Sequence, residues 1–357
     1  MKVLDRYLAH EILGGTLLVF SALVVLFAFF DLINELPSLG KGNYGLPQII
    51  AHVLLLTPGH VYELFPIAAL IGSLYALGQL AHHSELTVMR ASGFSIYRIA
   101  LAGLRVGLLF VLLGFVVGEF IVPHSERMAA QLRTRAMNTV VAQEFRSGLW
   151  LKDGSSFVNV REVLPDSTLM GVRIYEFDPA YNLRTISYAA EGRHIRDSHW
   201  RLLEVEQTHF EGASVRVSHL REAHWTSVLN PDMLSVLLVV PEQMSAVNLF
   251  AYLRHLEENK QRTARYEIAL WSKFVYPLAV LVMILLAVPF ALYQPRLTGV
   301  GGRVFGGIMV GLFFHLLNRV FANLGLLQDW PPVLAAVLPT LFFLGLALAM
   351  MAWVERR

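Results

Sequence analysis

The sequence predicts an α-helical membrane protein with six transmembrane helices, arranged as three plus three, and an all-β jelly-roll domain inserted between the two groups. Two observations predict this class. The 357 residues are 55% hydrophobic and only 16% charged, and the mean hydropathy is +0.53, which is atypical of a soluble domain. Several apolar stretches also reach the roughly 20 residues that a helix needs to cross the hydrocarbon core of a bilayer.

The apolar stretches fall into two groups with a long polar segment between them. The predicted spans cover approximately residues 12–33, 49–80, 99–122, 269–292, 304–327 and 333–353. The first span follows about ten residues with both charge signs, and no small-x-small cleavage pattern comes after it, which favours an anchor over a removed signal peptide. The chain therefore divides into a first transmembrane half (1–130), a β domain (131–244), a linker helix (245–262) and a second transmembrane half (263–357).

The positive charges of the short loops predict the orientation in the membrane. Cytoplasmic loops carry an excess of Lys and Arg, and four segments share this excess: Lys2 with Arg6, Arg90 with Arg98, Arg296 with Arg303, and Arg356 with Arg357. The opposite loops hold only Lys41 and Asp329. Both termini are thus expected in the cytoplasm, and the β domain is expected in the periplasm of a bacterial inner membrane.

The middle segment changes from helical to strand periodicity. The stretches "SSFVNV", "GVRIYEF", "RTISYAA", "WRLLEVEQTHF" and "ASVRVSHL" are short, rich in β-branched and aromatic residues, and separated by turn signals such as Lys152-Asp153-Gly154 and Asp178-Pro179. This pattern indicates a sandwich or jelly roll. In the following "MSAVNLFAYLRHLEENKQ", Leu249, Leu253 and Leu256 recur at helical spacing, which predicts an amphipathic helix.

Enzyme signatures are missing from the sequence. It contains no G-x-x-x-x-G-K-[ST] and no H-E-x-x-H, and the glycine-rich "GVGGRVFGG" at 299–307 opens a membrane helix, where the pairs Gly302/Gly306 and Gly307/Gly311 favour helix packing. No cysteine is present, and the formal net charge of +2 gives no reason to expect a nucleic-acid partner. No catalytic residue, cofactor or metal is predicted, so any energy-driven activity of this chain would require a separate protein that supplies the energy.

One short loop carries an unexpected helix, "SELTVMRASGFS" at 84–95. The stretch reads as a two-turn helix near 84–92, with Ser84 as N-cap, Glu85 in the first turn, Arg90 in the last turn and Gly93 as terminator. Leu86 and Met89 form an apolar ridge suited to a groove on a soluble partner. A helix that lies on the lipid headgroups fits the same pattern about equally well.

Five further stretches, together with this helix, carry a family resemblance. They are "VLDRY" at 3–7, "PIAALIGSLYALGQLA" at 66–81, "GEFIVPHSERMA" at 118–129, "GLWLKDGSSFV" at 148–158 and "RYEIALWSKFVYPL" at 265–278. Spread over nearly the whole chain and in the same order, they resemble the lipopolysaccharide export permease family, the LptF/LptG pair, and its LptG branch more closely.

The resemblance implies a set of partners. The chain would pair with an LptF-like paralogue, and an LptB-like ATPase dimer, which uses ATP and Mg²⁺, would bind the coupling helix. An LptC-like single-span protein would join through its own jelly roll. On this reading Ser84, Glu85, Leu86, Met89, Arg90 and Gly93 form the ATPase-coupling segment, in which Glu85 and Arg90 contact the ATPase and Leu86 and Met89 enter its groove.

The first and fifth spans are expected to form the lipid path or lateral gate. The predicted residues are Phe27, Phe30, Asp31, Asn34, Glu35 and Lys41 in or after the first span, and Phe314, His315, Asn318 and Arg319 in the fifth. Ionisable residues inside a bilayer are unfavourable unless they face a cavity or a partner. The competing interpretation is that Arg319 extends to the interface and that His315 and Asn318 only bond neighbouring helices.

One departure from the family pattern concerns charge. The family has basic residues at the outer end of the first helix, whereas Asp31, Asn34 and Glu35 stand there in this chain. A phosphate-contact role cannot be transferred to these positions, and Arg319 becomes the candidate for it.

Two other functions compete with lipopolysaccharide export through an LptG-like subunit. The chain could be the LptF paralogue, or a mechanotransmitting ABC permease that moves no lipid and pulls on a periplasmic partner. A third possibility is an envelope-assembly anchor without transport. A polar face and a lipid-facing cavity at the fifth span would favour the lipid exporter over the mechanotransmitter.

Overall fold

The computed structural model describes residues 2–137, 148–164, 168–178, 180–196, 198–211, 214–227, 241–258, 261–293 and 300–356. Within these residues, six helices are long and apolar enough to cross a membrane. They flank an antiparallel sheet, so the predicted class is confirmed and the inserted sheet is consistent with a jelly roll. The predicted residues Pro179, Arg296 and Arg357 lie outside the described residues.

The first half contains three spanning helices and one short helix between them. The helices are α1 (Lys2–Glu35), α2 (Leu46–His82), α3 (Glu85–Ala91), α4 (Ile96–Val116) and α5 (Val122–Met137), with a 3₁₀ turn at Leu36–Ser38 and a π-helical turn at Val117–Ile121 that joins α4 to α5. The spanning helices run beyond the predicted apolar cores because their polar flanks continue the helix. The boundary predicted at residue 130 therefore falls within α5.

The second half begins with the predicted amphipathic helix. Its helices are α6 (Ala246–Glu258), α7 (Ala264–Tyr293), α8 (Val300–Leu327) and α9 (Pro332–Glu355), preceded by a 3₁₀ turn at Pro241–Gln243. Leu249, Leu253 and Leu256 are buried on one face of α6, as their spacing predicts. Leu249 packs with Met244 and Ala269, which ties α6 to the start of α7.

The two halves share one apolar core. It is centred on α2 and α7, whose most apolar stretches are 78% and 67% buried, and both helices contain internal prolines. Gly307 and Gly311 of α8 pack against α2: a Cβ at Gly307 would lie 2.7 Å from Leu74 Cδ1, and one at Gly311 would lie 3.0 Å from Ile67 Cγ2. The predicted packing role is confirmed for this pair, whereas a Cβ at Gly306 would meet nothing within 4 Å.

Contacts at one end of the bundle bring together the start of α1, helix α3 and the start of α8. At one end, the start of α1 meets α3 and α4 through Tyr7–Glu85 and Asp5–Arg105 contacts. Arg303, predicted as a loop charge, lies instead in the first turn of α8, where its side chain is buried. Its guanidinium donates a 2.8 Å hydrogen bond to the Gly78 carbonyl near the end of α2. These segments therefore share one side of the membrane.

The β domain is one six-stranded antiparallel sheet in sequential order. Its strands are β1 (Leu149–Asp153), β2 (Ser156–Val163), β3 (Leu169–Phe177), β4 (Leu183–Arg196), β5 (His199–Glu211) and β6 (Ser214–Thr226). All five predicted strand stretches lie in this sheet, and the motif "GLWLKDG" supplies β1, which the sequence pattern did not reveal as a strand. Val158, Val160, Val172, Ala189 and Val205 form the core of one face.

Candidate functional site

The short helix α3 connects α2 to α4 at the end of the bundle where α1 begins. Gly93 ends it in the left-handed conformation (φ +83°). The Gly93 N–H donates to the Arg90 carbonyl at 2.9 Å and the Phe94 N–H to the Met89 carbonyl at 3.0 Å, which is the Schellman pattern. The predicted helix and its glycine terminator are therefore confirmed.

Ser84 does not cap α3 as predicted. It adopts the left-handed conformation (φ +62°), and its side chain makes no capping bond. The chain leaves α2 in a tight turn, in which the Ser84 N–H donates to the Ala81 carbonyl at 3.1 Å. An N-cap side chain needs extended backbone to reach the following amides, so this turn prevents the cap.

Leu86 and Met89 point into the protein and not toward a partner. Their side chains are only 2% and 7% exposed and belong to the same apolar core as the spanning helices. The predicted insertion of these two residues into a partner's groove is therefore wrong. The outward face of α3 consists of Thr87, Val88 and Arg90, and Val88 is 63% exposed.

Glu85 has a partner that sequence reasoning missed. The Tyr7 hydroxyl donates a 2.9 Å hydrogen bond to Glu85 Oε2 and so joins the start of α1 directly to α3. Arg105 of α4 lies 3.3 Å from Asp5 of α1 in a half-exposed ion pair. Tyr7 belongs to the "VLDRY" motif, but no sequence pattern indicated that this motif faces α3.

The first helix is held close to the second at a glycine crossing. A Cβ built on Gly72 would lie 2.3 Å from Thr16 Cα, and one on Gly15 would lie 2.7 Å from the Gly72 carbonyl oxygen. Small residues allow membrane helices to approach to this distance. Helix α3 is therefore linked to α1 in two ways. The Tyr7–Glu85 bond joins them directly, and the α1–α2 contact joins them through α2, which precedes α3 in the chain.

The acidic residues at the other end of α1 contact partners in the same chain. Asp31 Oδ2 lies 2.5 Å from His60 Nε2 of α2. Glu35 lies 3.6 Å from His52 Nε2 and 3.7 Å from Arg133 of α5, and it accepts a 3.2 Å hydrogen bond from the Tyr44 hydroxyl. These carboxylates stabilise the packing of α1 on α2 and α5, since their partners lie on those helices.

The remaining predicted residues of the first span are exposed. Phe27 and Phe30 are 36% and 51% exposed, with Phe27 beside the His60 ring, while Asn34 and Lys41 are also exposed. Only 6% of the most apolar stretch of this helix is buried. The first helix thus presents an apolar side surface, and the exposed cation Lys41 lies just beyond its end.

The fifth span, α8, separates the predicted residues into two groups. Phe314 is completely buried, 5.3 Å from Phe343 and 6.3 Å from Tyr276 between ring centroids. Its predicted place on the lipid path is wrong, because it packs against α7 and α9. His315 is half-buried, Asn318 donates to the Phe314 carbonyl of its own helix at 2.9 Å, and Arg319 is exposed.

A buried polar junction lies where the two halves meet, and the sequence did not reveal it. Lys273 of α7 is 5% exposed and donates a 3.2 Å hydrogen bond to the Gly118 carbonyl, which the π-helical turn presents. Its ammonium lies 5.1 Å from the centre of the Tyr62 ring. In the same turn, Glu119 accepts a 2.8 Å hydrogen bond from the Ala246 N–H at the start of α6.

This junction fastens the helix that leads away from the β domain to the third and fourth spans. A carboxylate at a helix N-terminus satisfies free amides and interacts favourably with the helix dipole. Farther along α6, burial raises the pKa of Tyr252, whose ring lies 4.7 Å from that of Tyr266 in α7. Among the described residues, no group of three or more His, Asp or Glu side chains is placed to hold a metal ion.

The fold and these surfaces define a class: a multi-pass membrane protein with a β domain inserted between two three-helix halves. The family model for the lipopolysaccharide export system permeases LptF/LptG matches residues 6–353. The chain therefore belongs to this family, which points to a transporter subunit and not to an enzyme.

Relatives of the LptG branch are more similar than those of the LptF branch. The chain is 33% identical over 346 residues to the lipopolysaccharide export system permease protein LptG of Haemophilus influenzae, covering 96% of both chains. It is 34% identical over 348 residues to LptG of Escherichia coli, covering 97% of both. Identity to LptF of Escherichia coli is 23% over 371 residues, with 98% of this chain and 95% of that one covered.

Proposed function

We propose that this chain is the LptG-type subunit of an ATP-driven exporter that extracts lipopolysaccharide from the bacterial inner membrane. A separate LptB-like ATPase dimer supplies the energy, an LptF-like paralogue completes the transmembrane cavity, and an LptC-like protein receives the lipid on the periplasmic side. The relatives' names and the membership in the family support the substrate class. The partners follow from the resemblance of the chain to that family.

One observation carries the proposal: the spans that are least packed inside the chain are the first and the fifth. Their most apolar stretches are 6% and 17% buried, against 33% for the sixth, 44% for the third, 67% for the fourth and 78% for the second. An isolated subunit whose two gate helices leave most of their apolar surface uncovered is half of a cavity. A paralogue with the same exposed pair would close the cavity around acyl chains.

The exposed cations fit the substrate's head. Lys41 follows the first span and Arg319 lies in the outer third of the fifth, and both side chains are exposed. Lipopolysaccharide carries phosphate groups near its acyl chains, and Arg binds phosphate oxygens with two parallel hydrogen bonds. Asp31 and Glu35 are engaged with His60, His52 and Arg133, so they stabilise the helices and leave the phosphate contact to the two cations.

The ATPase acts on this chain through α3, on the cytoplasmic side. The outward residues Thr87, Val88 and Arg90 form the surface available to the ATPase, and Glu85 lies at its edge, bonded to Tyr7. Leu86 and Met89 fix α3 to the core, so a push on α3 moves the ends of α1, α2 and α4 together. This arrangement replaces the predicted contact in which the apolar ridge entered the ATPase.

Site-specific photocrosslinking tests the lipid path. A benzophenone side chain at Phe30 of α1 or Phe313 of α8, which are 51% and 48% exposed, is expected to form lipopolysaccharide adducts in cells. Leu109 of α4 is the control, because it is 47% exposed on a span outside the proposed gate. Equal adducts at all three positions would show only bulk lipid and would contradict the gate.

Reconstitution separates the exporter from the competing functions. The chain with its paralogue and the ATPase in nanodiscs should hydrolyse ATP faster when lipopolysaccharide is present, and Arg319→Glu should reduce the crosslinking at Phe313. An ATPase that copurifies and works without any lipid adduct would favour the mechanotransmitter. Unchanged adduct yield in Arg319→Glu would remove the role of that cation.

A further inference from the structure

The outer face of the β-sheet carries a row of aromatic and hydrogen-bonding side chains that export through the spans does not use. Residues directly opposite on paired antiparallel strands point to the same face. The register aligns one row across the six strands, consisting of Trp150, Asn159, Arg173, Tyr188, Glu206 and His219. The adjacent row consists of Lys152, Phe157, Tyr175, Ile186, Thr208 and Val217.

This face is opposite to the domain's core, and its aromatic side chains are accessible. Trp150 is 53% exposed, and Phe157 and Tyr188 are each 40% exposed. Trp150 stacks on Tyr175 with ring centroids 5.7 Å apart. Exposed aromatic clusters of this kind are uncommon on a surface that has no binding role.

The two rows line a shallow cavity of about 330 Å³ that is largely open to solvent on this face of the sheet. Its lining comes from three adjacent strands: Arg173 and Tyr175 of β3, Ile186 and Tyr188 of β4, and Glu206 and Thr208 of β5. The Arg173 guanidinium lies 5.9 Å from the centre of the Tyr188 ring, within the range of a cation–π contact that orients both groups. Small-ligand sites begin at about 300 Å³ and combine apolar walls with a few convergent polar groups.

We propose that this cavity is a saccharide-binding site. The C–H bonds of a pyranose ring pack on aromatic side chains, and the lining of the cavity contains the rings of Tyr175 and Tyr188. Arg173 donates hydrogen bonds, Glu206 accepts them and Thr208 does both, which matches neighbouring hydroxyl groups of a sugar.

The charges at the cavity favour a neutral sugar over a phosphate. One cation, Arg173, and one anion, Glu206, line the same space, so a ligand phosphate would meet repulsion from the carboxylate as well as attraction from the guanidinium. A polyhydroxylated ring satisfies both groups without carrying charge. The site lies on the β domain, apart from the spanning helices, and therefore adds a sugar contact to the proposed lipid path.

Saturation-transfer NMR on the full chain in nanodiscs tests the site. The probes are the lipid-free oligosaccharide released from lipopolysaccharide by mild acid, and chitotriose as a glycan of another origin. Saturable transfer to ring protons of either probe supports the site, and the probe that binds identifies the source of the sugar. Absence of transfer to both probes would overturn the proposal.

Variants assign the binding to this cavity. Tyr188→Ala and Arg173→Gln are expected to weaken binding by about tenfold or more, which corresponds to one lost contact of ordinary strength. Thr208→Val, which keeps a β-branched residue in the strand, is expected to weaken it less and serves if Tyr188→Ala fails to fold. The control is Val217→Ala, which lies on the same face in β6 but outside the cavity, and which should bind as the wild type does.

Two further outcomes would overturn the saccharide assignment. Equal binding by the wild type and all cavity variants would place the sugar elsewhere. A benzophenone at position 188 that crosslinks a copurifying protein and no glycan would make this face a protein interface. Because the NMR readout needs neither an ATPase nor lipopolysaccharide, its failure is distinguishable from failure of the proposed export function.

Discussion

Glu85 has two candidate partners, one in this chain and one in the proposed ATPase. In the structure its carboxylate accepts the Tyr7 hydroxyl at 2.9 Å, at the edge of the outward face of α3. A residue in this position would transmit a displacement of α3 by the proposed ATPase to α1 without any contact between α1 and the ATPase. Removing the hydroxyl and reversing the charge are therefore expected to have different effects.

Tyr7→Phe deletes only the hydrogen bond. A typical hydrogen bond contributes about 0.5–1.5 kcal/mol, so we expect ATP hydrolysis to continue while lipid released per ATP falls by about two- to tenfold. Glu85→Arg should leave membrane insertion intact but uncouple hydrolysis from export. Both rates are measured in the reconstituted complex, with Tyr97→Phe, an exposed tyrosine at the start of α4, as the control. Equal lipid release by Tyr7→Phe and the wild type would remove the Tyr7 route.

Asp178 organises the turn between β3 and β4. Its carboxylate accepts the N–H groups of Ala180 and Asn182 at 2.8 Å each and the Asn182 amide at 3.1 Å. The backbone bond from Asn182, followed by its side-chain bond, holds the pKa of Asp178 below the ordinary value of 3.8. A lowered native pKa means that the turn is fully stabilised above the unfolded pKa and loses this stabilisation as pH falls through the native one.

Hydrogen exchange of the 180–182 amides measures this effect. Asp178→Ala should exchange faster than the wild type by the same factor between about pH 7 and pH 5, and the difference should shrink only below about pH 4. Asp178→Asn, which keeps one acceptor oxygen, should lie between the two. A difference that already changed between about pH 7 and pH 5 would assign the effect to another group.

The residue scale is also where the sequence predicted least. The resemblance placed Glu85 and Arg90 in the coupling segment, but no periodic pattern revealed Tyr7, and Lys273 lies 155 positions from the Gly118 carbonyl that it contacts. Leu86 and Met89 are the opposite case, because their pattern predicted a contact with a partner and they are buried in the chain's own core. A ridge of two apolar side chains on a short helix has the same pattern whether it faces a partner or the chain's own core.

At the scale of the element, spanning helices were predictable because length and apolarity alone define them. The six spans, α6 and five of the six strands follow from hydrophobic periodicity. The π-helical turn at Val117–Ile121 was not predictable, since the Lys273 side chain that binds its Gly118 carbonyl lies 155 positions away along the chain. Strand β1 was missed because "LWLKD" is short and has few β-branched residues.

The α1–α2 crossing gives a prediction at this scale. A Cβ at Gly72 would lie 2.3 Å from Thr16 Cα and 2.6 Å from its nitrogen, so Gly72→Ala must push the two helices apart. Overpacking of this kind typically destabilises by about 1–3 kcal/mol. We expect a lower melting temperature of the chain in detergent, measured by fluorescence-detected size exclusion after heating.

Gly14→Ala is the matched control for the crossing. It lies one residue from the contact on the same helix, and its added Cβ would meet nothing within 4 Å, so its melting temperature should equal or exceed that of the wild type. Equal melting of Gly72→Ala and the wild type would contradict the close approach of α1 and α2.

On the scale of the whole molecule, the burial of the spans supports the proposed second permease. Its core lies between α2 and α7, while α1 and α8 leave large apolar side chains uncovered. The sequence predicted these two helices as the gate from their polar and ionisable residues and from the family resemblance. Apolarity alone could not do so, because an apolar span has the same pattern whether it faces lipid, a paralogue or a cavity. The burial of each span supplies the independent observation.

Topology is the last property of the whole molecule that can be tested directly. The chain contains no cysteine, so a single introduced cysteine is the one reactive thiol available to a membrane-impermeant maleimide. The contacts of Tyr7 with Glu85 and of Arg303 with Gly78 place the start of α1, helix α3 and the start of α8 on one side. The distribution of Lys and Arg predicts that this side faces the cytoplasm.

Val88→Cys in α3 and Val215→Cys in β6 replace side chains that are 63% and 59% exposed. In cells with a permeabilised outer membrane, Val215→Cys should be labelled at once, whereas Val88→Cys should react only after the inner membrane is disrupted or the chain is purified. Ala69→Cys in the core, where the native side chain is fully buried, should react only after denaturation and so calibrates accessibility. Labelling of Val88→Cys in intact spheroplasts would place α3 outside the cell's cytoplasm, and no cytoplasmic ATPase could then drive this chain.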